Sequence, residues 1–397
     1  MAKKTLHDVE LKGKTVLMRV DFNVPIKEGV ISDDNRIVQA LKSINFVIDG
    51  GAKLILTSHL GRPADAPDPV FSLKPVADHL ATLVDVPVHF AGDCIGEQRT
   101  AVVNAAGFGE IVLLENVRFY KEEKKNDPGF AKELAEGADL FVNDAFGSSH
   151  RAHASVAGVT EYLQPSVSGF LLEKEIRYLE GSVNDPERPF VAILGGAKVS
   201  DKIGVIENLL SKVDSIVVGG GMTYTFYKAK GLPIGNSLVE EDKVELAKEL
   251  LEKAEKAGVN FMLPIDSVVA REFSNDAETE VVDEDGIEDG WMALDIGPQS
   301  IIAFGNLIKQ ARTVVWNGPM GVFEMSNFAE GTFEVARALA EATKAGATTI
   351  IGGGDSSSAI KKAGLEDQVS HVSTGGGASL EYLEGRELPG VAALTDK

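Results

Sequence analysis

The length, composition and charge of the chain exclude several classes of protein. Its 397 residues, 44% hydrophobic and 25% charged, can bury a large core and exceed what one core usually organises. A net charge of −21 repels nucleic acids and anionic membranes on average, so neither is an expected partner. We therefore expect a folded protein of two domains, in which any anion-binding site is built locally.

Signals for export or membrane insertion are not expected in this sequence. The segment MAKKTLHDVELKGKTVL lacks the apolar run of a secretory signal, and no stretch approaches the roughly 20 apolar residues of a membrane span. Cys94 is the only cysteine and has no partner for an internal disulfide, which is typical of a reducing compartment. We expect a soluble cytoplasmic protein in which Cys94 is a small buried residue rather than a reactive thiol.

The first half of the chain alternates short apolar runs with segments of helical period, the pattern of βα units and a parallel sheet. Strands are expected near residues 15–22, 53–58, 110–116 and 139–144. A helix is expected over 36–49, with Ile37, Leu41, Ile44 and Ile48 on one face, and another over 72–84, which Ser72 can cap.

The second half repeats this pattern after a break. Strands are expected near 190–194, 215–218, 313–316 and 348–351, and helices over 238–257 and 326–343. Between the halves, residues 171–185 carry apolar side chains at helical spacing and then a turn-rich stretch. The predicted fold class is α/β, with two Rossmann-like parallel-sheet domains, residues 1–170 and 186–375, joined by a helix and hinge over 171–185.

Polar residues follow the strands of the first half, where ligands of parallel sheets bind. Strand alternation in RVDFNVP predicts that Asp21 and Asn23 lie on one face and Phe22 on the other. The later strands run into SHLGRP, ENVRF and NDAFGSSHRAHAS. Their candidate ligands are His59, Arg62, Arg118 and Arg151.

The arginines predict a site for a small anion. Arg36 begins a predicted helix, where the helix dipole disfavours a cation unless an anion binds nearby. The guanidinium fork matches carboxylate and phosphate, although each arginine alone is more often a solvated surface charge. His150 and His153 could be metal ligands, but further ligands at zinc-like spacing are lacking, and we prefer anion contact or loop packing.

Glycine-rich turns follow the strands of the second half and are candidate phosphate cradles. They are LGGAK (194–198), VGGGM (218–222), WNGPMG (316–321), IGGGDSS (351–357) and STGGGAS (373–379). Glycine lets backbone N–H groups approach phosphates, and a following helix adds its positive end, although tight βα turns also use glycine for steric reasons alone.

Charged residues beside these turns fit a nucleotide and its metal. Lys198 and Lys202 are four residues apart at a predicted helix start, so they are expected on one face, with ordinary surface lysines as the alternative. Asp355 follows three glycines and suits Mg²⁺ bridging phosphates, with helix capping as the alternative.

Motifs for other functions are missing. The sequence has no G-x-G-x-x-G, which disfavours a nicotinamide dehydrogenase. Residues 13–15, GKT, match the end of a Walker A motif, but they precede a strand, and the first glycine of that motif is missing. The stretch VVDEDGIEDG does not have EF-hand spacing and is predicted to be a solvated loop.

Taken together, eight motifs resemble those of the phosphoglycerate kinase family. They are RVDFNVP, SHLGRP, ENVRF, NDAFGSSHRAHAS, LGGAKVSDK, WNGPMGVFE, GGGDSS and HVSTGGGASLE, in family order from near residue 19 to near 381. The resemblance implies reversible phosphoryl transfer from 1,3-bisphosphoglycerate to Mg-ADP, giving 3-phosphoglycerate and ATP in glycolysis. It also implies a monomer whose C-terminal segment, 376–397, packs on the N-terminal domain.

The resemblance assigns roles to residues that match the family motifs. Those implied to bind phosphoglycerate are Asp21, Phe22, Asn23, Arg36, His59, Leu60, Gly61, Arg62, Arg118 and Arg151. Those implied to bind nucleotide are Lys198, Lys202, Glu324, Gly353, Gly354, Asp355 and Ser356, with Asp355 also as metal ligand. Gly375 and Gly376 are implied to hold the moving phosphoryl group.

The implied reaction needs no general base, because the attacking oxygen belongs to a phosphate or an ionised carboxylate. Catalysis is then positioning and charge stabilisation, for which we assign Arg36 and Lys202 the main roles with Gly375 and Gly376. Two alternatives remain at this point. They are a doubly wound oxidoreductase, and a nucleotide-binding protein without catalysis.

Overall fold

A computed structural model describes residues 2–397, and the first half of the chain contains these strands and helices. The strands are β1 (Thr15–Arg19), β2 (Ile26–Lys27), β3 (Val30–Ile31), β4 (Lys53–Thr57), β5 (Val88–Ala91), β6 (Ile111–Leu114), β7 (Leu140–Asn143) and β8 (Ser166–Ser168). The helices are α1 (Asn35–Asp49), α2 (Lys74–Leu80), α3 (Gly96–Ala105), α4 (Lys121–Lys124), α5 (Pro128–Ala135) and α6 (Phe170–Asn184).

The second half contains the remaining elements. The strands are β9 (Phe190–Leu194), β10 (Ser215–Val218), β11 (Asn260–Met262), β12 (Asp266–Ala270), β13 (Thr279–Asp283), β14 (Met292–Ile296), β15 (Thr313–Asn317), β16 (Thr348–Gly352) and β17 (His371–Val372). The helices are α7 (Ile203–Leu209), α8 (Thr223–Ala229), α9 (Val244–Ala257), α10 (Pro298–Gln310), α11 (Glu330–Lys344), α12 (Gly354–Lys362), α13 (Gly376–Leu383) and α14 (Pro389–Ala392).

Two parallel sheets form the core of the fold, which confirms the predicted class. The first has the order β5-β6-β4-β1-β7-β8 and the second β11-β10-β9-β15-β16-β17. In β1, Val16 and Met18 belong to one apolar cluster and Leu17 to another, so both faces of the sheet are buried. That is why these strands read as continuous apolar runs rather than alternating ones.

The chain divides into two compact units. Unit 1 comprises the residues up to Arg177 together with Glu387–Lys397, and unit 2 comprises Tyr178–Arg386. The division falls inside α6, within the expected hinge region 171–185. None of the helices in residues 2–397 has the length and apolar character that crossing a bilayer demands.

The returning C-terminal segment is shorter than expected. Residues 376–386 lie in unit 2, because Asn208 Nδ2 donates a 2.7 Å hydrogen bond to Leu383 O and ties α13 to the region of α7. Only the residues from Glu387 onward join unit 1, where Asn143 Nδ2 donates to Gly390 O at 2.9 Å. The expected start at 376 is therefore corrected to 387.

Several element boundaries also differ from the sequence-based expectation. The first strand ends at Arg19 rather than at residue 22, and the third ends at Leu114 rather than at 116. Helix α2 is shorter than 72–84, whereas α9 begins at Val244 rather than 238 and α11 at Glu330 rather than 326. A short 3-10 turn precedes both α9 and α11, which apolar periodicity does not distinguish from an α-helical turn.

An antiparallel sheet of β13, β12 and β14 lies in unit 2 and was not predicted. Its edge strand β13 includes Val281, Val282 and Asp283 of the stretch predicted to be a solvated loop. That prediction is wrong for these residues. Most of β13 is exposed, so its sequence carries little of the apolar alternation that signals a strand.

Helix α6 begins at a buried carboxylate. Asp144 Oδ1 accepts hydrogen bonds from Leu171 N at 2.9 Å and Leu172 N at 3.1 Å. Burial raises the pKa of Asp144 from 3.8 to about 6, against the lowering effect of these hydrogen bonds and one from Ser43. The ionised carboxylate thus accepts hydrogen bonds from backbone N–H groups in the first turn of α6, but its burial costs free energy.

The raised pKa of Asp144 predicts a pH dependence of stability. Between its unfolded pKa near 4 and its folded pKa near 6, the native state binds more protons, so the free energy of unfolding should fall as pH rises through this window. The Asp144 contribution is of order 3 kcal/mol. Denaturant titrations of wild type and Asp144→Asn at pH 4 to 7 measure it. Parallel pH profiles for the two proteins would contradict the assignment.

Candidate active site

The polar loops of unit 1 leave one edge of its sheet side by side. Arg19, at the end of β1, is in register with Thr57 of β4 and Asn143 of β7. Parallel strands bring their carboxyl ends to the same edge, so the three following loops begin together. Arg118 follows β6, which pairs with β4.

Hydrogen bonds join the loops that follow β1, β4 and β6. Asn23 Oδ1 accepts from Gly61 N at 2.8 Å, and Arg118 Nη1 donates to Gly61 O at 2.8 Å. Phe22 N donates to Ser58 Oγ at 2.9 Å. The side chains of Phe22 and Leu60 are buried in the core, so only their backbone atoms can face a ligand.

Asp21 and Asn23 are partly exposed and Phe22 is buried, as expected, but strand alternation is not the cause. Strand β1 ends at Arg19, so this arrangement comes from the loop and not from strand alternation.

Arg36 lies at the start of α1, where the dipole is positive. The first turn of α1 contains no acidic residue, and Asp34 makes no side-chain capping hydrogen bond. Arg36 Nη1 lies 2.8 Å from Asp21 Oδ2. Burial would raise the pKa of Asp21, but the positive charge of Arg36, helped by that of Arg19, holds it below its usual value. Asp21 therefore remains ionised and fixes Arg36.

The remaining basic groups make this edge electropositive. The side chains of Arg62 and Arg151 are exposed and make no hydrogen bond or ion pair with residues 2–397. Burial lowers the pKa of His153 to about 4, helped by the positive charges of Arg19, Arg118 and Arg151. His153 is therefore neutral near pH 7, and the arginines supply the positive charge that would attract an anion to this edge.

Unit 2 also brings its glycine-rich turns to one sheet edge. Asn317, at the end of β15, is in register with Leu194 of β9 and Gly352 of β16. A Cβ atom at Gly195 would lie 2.1 Å from Pro319 O, and Gly318 has a φ of 103°. The close approach of these two turns therefore requires glycine.

Two helix N-termini meet at this edge. Helix α12 begins at Gly354 and α13 at Gly376, and a Cβ atom at Gly376 would lie 3.1 Å from Gly354 N. Gly353, with a φ of 93°, precedes α12, and Gly375 precedes α13. The first N–H groups of both helices have no intrahelical partner, so the pair forms a positive cradle suited to phosphate.

A lysine is buried beside this cradle. Lys202 Nζ donates a hydrogen bond to Asn317 Oδ1. Asn317 in turn lies close to Gly353 before α12, because a Cβ atom at Gly353 would lie 3.3 Å from Asn317 Nδ2. Asn317 Nδ2 is buried without a hydrogen-bond partner in residues 2–397. Burial lowers the pKa of Lys202, opposed by the charges of Asp201, Asp355 and Glu384.

The expectation that Lys198 and Lys202 share a helix face is wrong. Helix α7 begins at Ile203, so Lys198 lies in the preceding turns, where helical spacing does not apply. Lys198 is exposed, whereas only 9% of Lys202 is exposed. Ser356 is also fully buried, and its Oγ accepts from Gly318 N at 2.6 Å, which leaves its backbone as the group available to a nucleotide.

A pocket of about 490 Å³ in unit 2 includes two of the predicted nucleotide residues, Glu324 and Asp355. Its other lining residues include Gly196, Gly220, Tyr224, Asn236, Leu238, Phe273, Leu294 and Met320. Leu238 and Phe273 are more than half exposed, which is unusual for large apolar side chains. An apolar wall next to phosphate-binding groups suits the flat base of a nucleotide.

The carboxylate of Asp355 fits a magnesium ion bound with phosphates. Asp355 is exposed on the pocket and makes no hydrogen bond or ion pair with residues 2–397. The same residues contain no group of three or more acidic, histidine or cysteine ligands for a metal. Mg²⁺ held by one carboxylate, water and substrate phosphates needs no such group.

Gly376→Ala should lower the catalytic efficiency with nucleotide by about tenfold to a hundredfold, because the added methyl group would enter the cradle 3.1 Å from Gly354 N. Stability should change little, because the better helix propensity of alanine offsets part of the cost of this close backbone contact. Steady-state kinetics and thermal unfolding measure both effects. Gly305→Ala in α10, where nothing lies within 4 Å, is the control and should leave activity unchanged. Normal kinetics for Gly376→Ala would contradict the cradle.

Comparisons with known proteins identify the family of the chain. The family model of phosphoglycerate kinase matches residues 6–386. The chain is 59% identical to the phosphoglycerate kinase of Chloroherpeton thalassium and 56% identical to that of Clostridium perfringens, covering 100% of this chain and at least 99% of each relative.

Solved structures lead to the same result. The structure resembles phosphoglycerate kinase from Coxiella burnetii, with a TM-score of 0.90 and 42% identity, and phosphoglycerate kinase from Pyrococcus horikoshii, with 0.84 and 33%. Each match covers 98% of both chains. With its two parallel sheets and matching motifs, this chain belongs to the phosphoglycerate kinase family.

Proposed function

We propose that the chain catalyses reversible phosphoryl transfer between 1,3-bisphosphoglycerate and ADP, giving 3-phosphoglycerate and ATP, as a glycolytic enzyme. The observation that supports it most is the convergence in unit 2 of two helix N-termini, Lys202 and a pocket with an apolar wall, in a chain of this family. The arginine-rich edge of unit 1 suits the phosphoglycerate. Family membership disfavours both the oxidoreductase and the binding protein.

We assign the phosphoglycerate to Asp21, Asn23, Arg36, His59, Arg62, Arg118 and Arg151, with backbone groups of Phe22, Leu60 and Gly61. The nucleotide is assigned to Lys198, Lys202, Glu324, Gly353, Gly354, Asp355 and the backbone of Ser356. The N–H groups of Gly375 and Gly376 are assigned to the transferred phosphoryl group, for which Gly375 N would have to leave Ser373 Oγ, its 3.2 Å acceptor without substrates. Mg²⁺, held by Asp355 and the phosphates, would neutralise negative charge on the nucleotide.

The protein's contribution to the reaction is electrostatic. The phosphoryl group in transfer carries charge on its oxygens, and the acceptor in either direction is already ionised, so no side chain needs to remove a proton. Arg36 from unit 1 and Lys202 from unit 2 stabilise that charge. Asp21 holds the guanidinium of Arg36, and Asn317 holds the ammonium of Lys202, before substrates arrive.

A coupled assay tests this function. The protein is mixed with ATP, Mg²⁺ and 3-phosphoglycerate, and the acyl phosphate is consumed by a dehydrogenase that oxidises NADH. We expect turnover that requires all three reactants. If turnover is absent, calorimetry shows whether ATP and 3-phosphoglycerate bind. Binding of both ligands without turnover would indicate a binding protein. Oxidation of a hydroxy acid by NAD without the coupling enzyme would indicate an oxidoreductase.

Substrates bound to separate units must meet for direct transfer, so we propose closure at a hinge within residues 168–190. Small-angle scattering should show a smaller radius of gyration when 3-phosphoglycerate and a nonhydrolysable ATP analogue are both present, compared with either alone. An unchanged radius with both sites saturated would contradict closure.

We also propose that the chain acts as a monomer in the cytoplasm. The absence of a helix fit to cross a bilayer among residues 2–397 and the family's role in glycolysis support the location. Sedimentation equilibrium at micromolar concentration tests the monomer, which predicts a mass near 42.2 kDa.

A further inference from the structure

Arg19 is a buried arginine at the phosphoglycerate side of unit 1, and it is not among the residues to which the family resemblance assigns a role. Only 1% of its surface is exposed, so it cannot bind the substrate directly. Its guanidinium makes three close contacts with named partners. Nε donates to Ser155 Oγ at 2.8 Å, Nη1 donates to Val20 O, and Nη2 lies 3.1 Å from His59 Nδ1. A fourth contact, to Ser148 Oγ, is long at 3.5 Å.

A second buried charge holds Arg19 in place. Glu123 is fully buried, its Oε1 accepts from Ser155 Oγ at 2.6 Å, and its Oε2 accepts from Ser155 N at 2.8 Å. Burial raises the pKa of Glu123, and the positive charge of Arg19 opposes this rise and favours the ionised form. Glu123, Ser155 and Arg19 thus form a connected network that ends at the His59 ring.

The chemistry of arginine determines the protonation of that ring. A guanidinium has five donors and no acceptor, so Nδ1 of His59 must accept the hydrogen bond. A neutral imidazole that accepts at Nδ1 carries its proton on Nε2. A doubly protonated ring would place N–H against N–H and positive charge against positive charge. Burial lowers the pKa of His59 well below 6.5, and Arg19, Arg118 and Arg36 reinforce this against the attraction of Asp21.

The other nitrogen of the ring has no protein partner, although only 5% of His59 is exposed. His59 Nε2 makes no hydrogen bond with any of residues 2–397. His59 lies in the loop after β4, beside the Asn23, Gly61 and Arg118 contacts. An N–H at Nε2 would donate to a carboxylate or phosphate oxygen, whereas a bare Nε2 would repel it.

We propose that Arg19 is a positioning residue for phosphoglycerate binding: its hydrogen bond to Nδ1 of His59 keeps the ring proton on Nε2, where it is donated to the anionic substrate. This inference rests on the proposed function for the identity of the substrate. The tautomer itself is a property of the protein without ligands, so the two are tested separately.

Nitrogen NMR of the unliganded protein tests the tautomer. Histidine is labelled with ¹⁵N, and His59→Gln identifies the His59 signals among the seven histidines. We expect a protonated, pyrrole-type shift for Nε2 and an unprotonated, pyridine-type shift for Nδ1 at neutral pH. A proton on Nδ1, in either the other tautomer or the imidazolium, would overturn the proposal.

Variants test the part played by Arg19. Arg19→Met, combined with Glu123→Gln so that no buried charge is left unpaired, should give mixed tautomers and weaken binding of 3-phosphoglycerate by roughly tenfold or more. Binding of ATP should not change. Ser155→Ala removes the hydrogen bond of Arg19 Nε. It should change the His59 tautomer and the affinity for 3-phosphoglycerate in the same direction as the double variant, but by less. Ser148→Ala removes only the 3.5 Å contact and is the matched control.

The outcomes separate positioning from simple packing. A packing role would lower the unfolding temperature of the Arg19 variant while the His59 shifts stay those of wild type, and that result would overturn the proposal. If the double variant does not fold, Ser155→Ala and the wild-type spectrum still decide it. If wild type shows the expected tautomer but no affinity for 3-phosphoglycerate, the proposed function fails and the substrate role of His59 fails with it.

Discussion

Replacing Arg36 with alanine should lower kcat by about 10²–10³-fold, which is the usual loss when one preorganised donor to a transition state is removed. Arg36 is fixed before the substrate arrives, because its guanidinium lies 2.8 Å from Asp21 at the start of α1. Its guanidinium therefore does not have to be repositioned when negative charge develops on the phosphoryl group in transfer. Arg36→Lys should recover only part of the rate, since an ammonium cannot form the planar fork.

The measurement is steady-state turnover in the coupled assay, together with calorimetry of 3-phosphoglycerate. Thermal unfolding is needed as well, because the variant leaves Asp21 without its nearest positive partner. Arg337→Ala is a suitable control, since Arg337 is paired with Glu330 and Glu334 on the surface of α11. Near-normal kcat in a folded Arg36→Ala protein would refute the catalytic role assigned to Arg36.

Lys202→Met should lower kcat by about 10²-fold or more, with a similar fall in kcat/KM for ATP. Lys202 is 9% exposed and hydrogen-bonded to Asn317, next to the turn that begins α12. A charge on a largely buried side chain acts more strongly on a phosphoryl group than an exposed one does. Methionine keeps the apolar stem, so the loss should come mainly from the charge.

Two further variants sharpen that result. Lys256→Ala, on the surface of α9 with a 3.8 Å contact to Glu252, is the control and should leave kinetics unchanged. Asn317→Ala should have a smaller effect in the same direction, because Lys202 would keep its charge and lose its hydrogen bond. If Lys202→Met raised KM for ATP without lowering kcat, Lys202 would contribute to binding alone and the assignment to the transition state would be wrong.

The features that could be predicted from the sequence are those encoded locally. Strand β1 and its neighbours are continuous apolar runs, so the parallel sheets were predictable, and so was the placement of His59 and Arg118 just after strands. The same holds for the glycine turn before α12, where Gly353 has a φ of 93°. Each of these signals lies within a few residues of the feature that it predicts.

The features that were missed depend on contacts between distant segments. Arg19 looks like any residue at a strand end, and its burial follows from partners 40 and 136 positions away, His59 and Ser155. Leu238 and Phe273 join one pocket from separate loops, and nothing in either loop marks them. The predicted pairing of Lys198 with Lys202 failed because a turn was taken for the first turn of α7.

Direct exchange of label tests the central claim, that this chain moves the phosphoryl group between two bound substrates. ATP labelled at its γ-phosphate is incubated with the protein, Mg²⁺ and ADP, with and without 3-phosphoglycerate. We predict that label passes to the carboxyl group of 3-phosphoglycerate and returns to ADP only when all reactants are present. Exchange between ATP and ADP without phosphoglycerate, or release of labelled phosphate alone, would contradict the account.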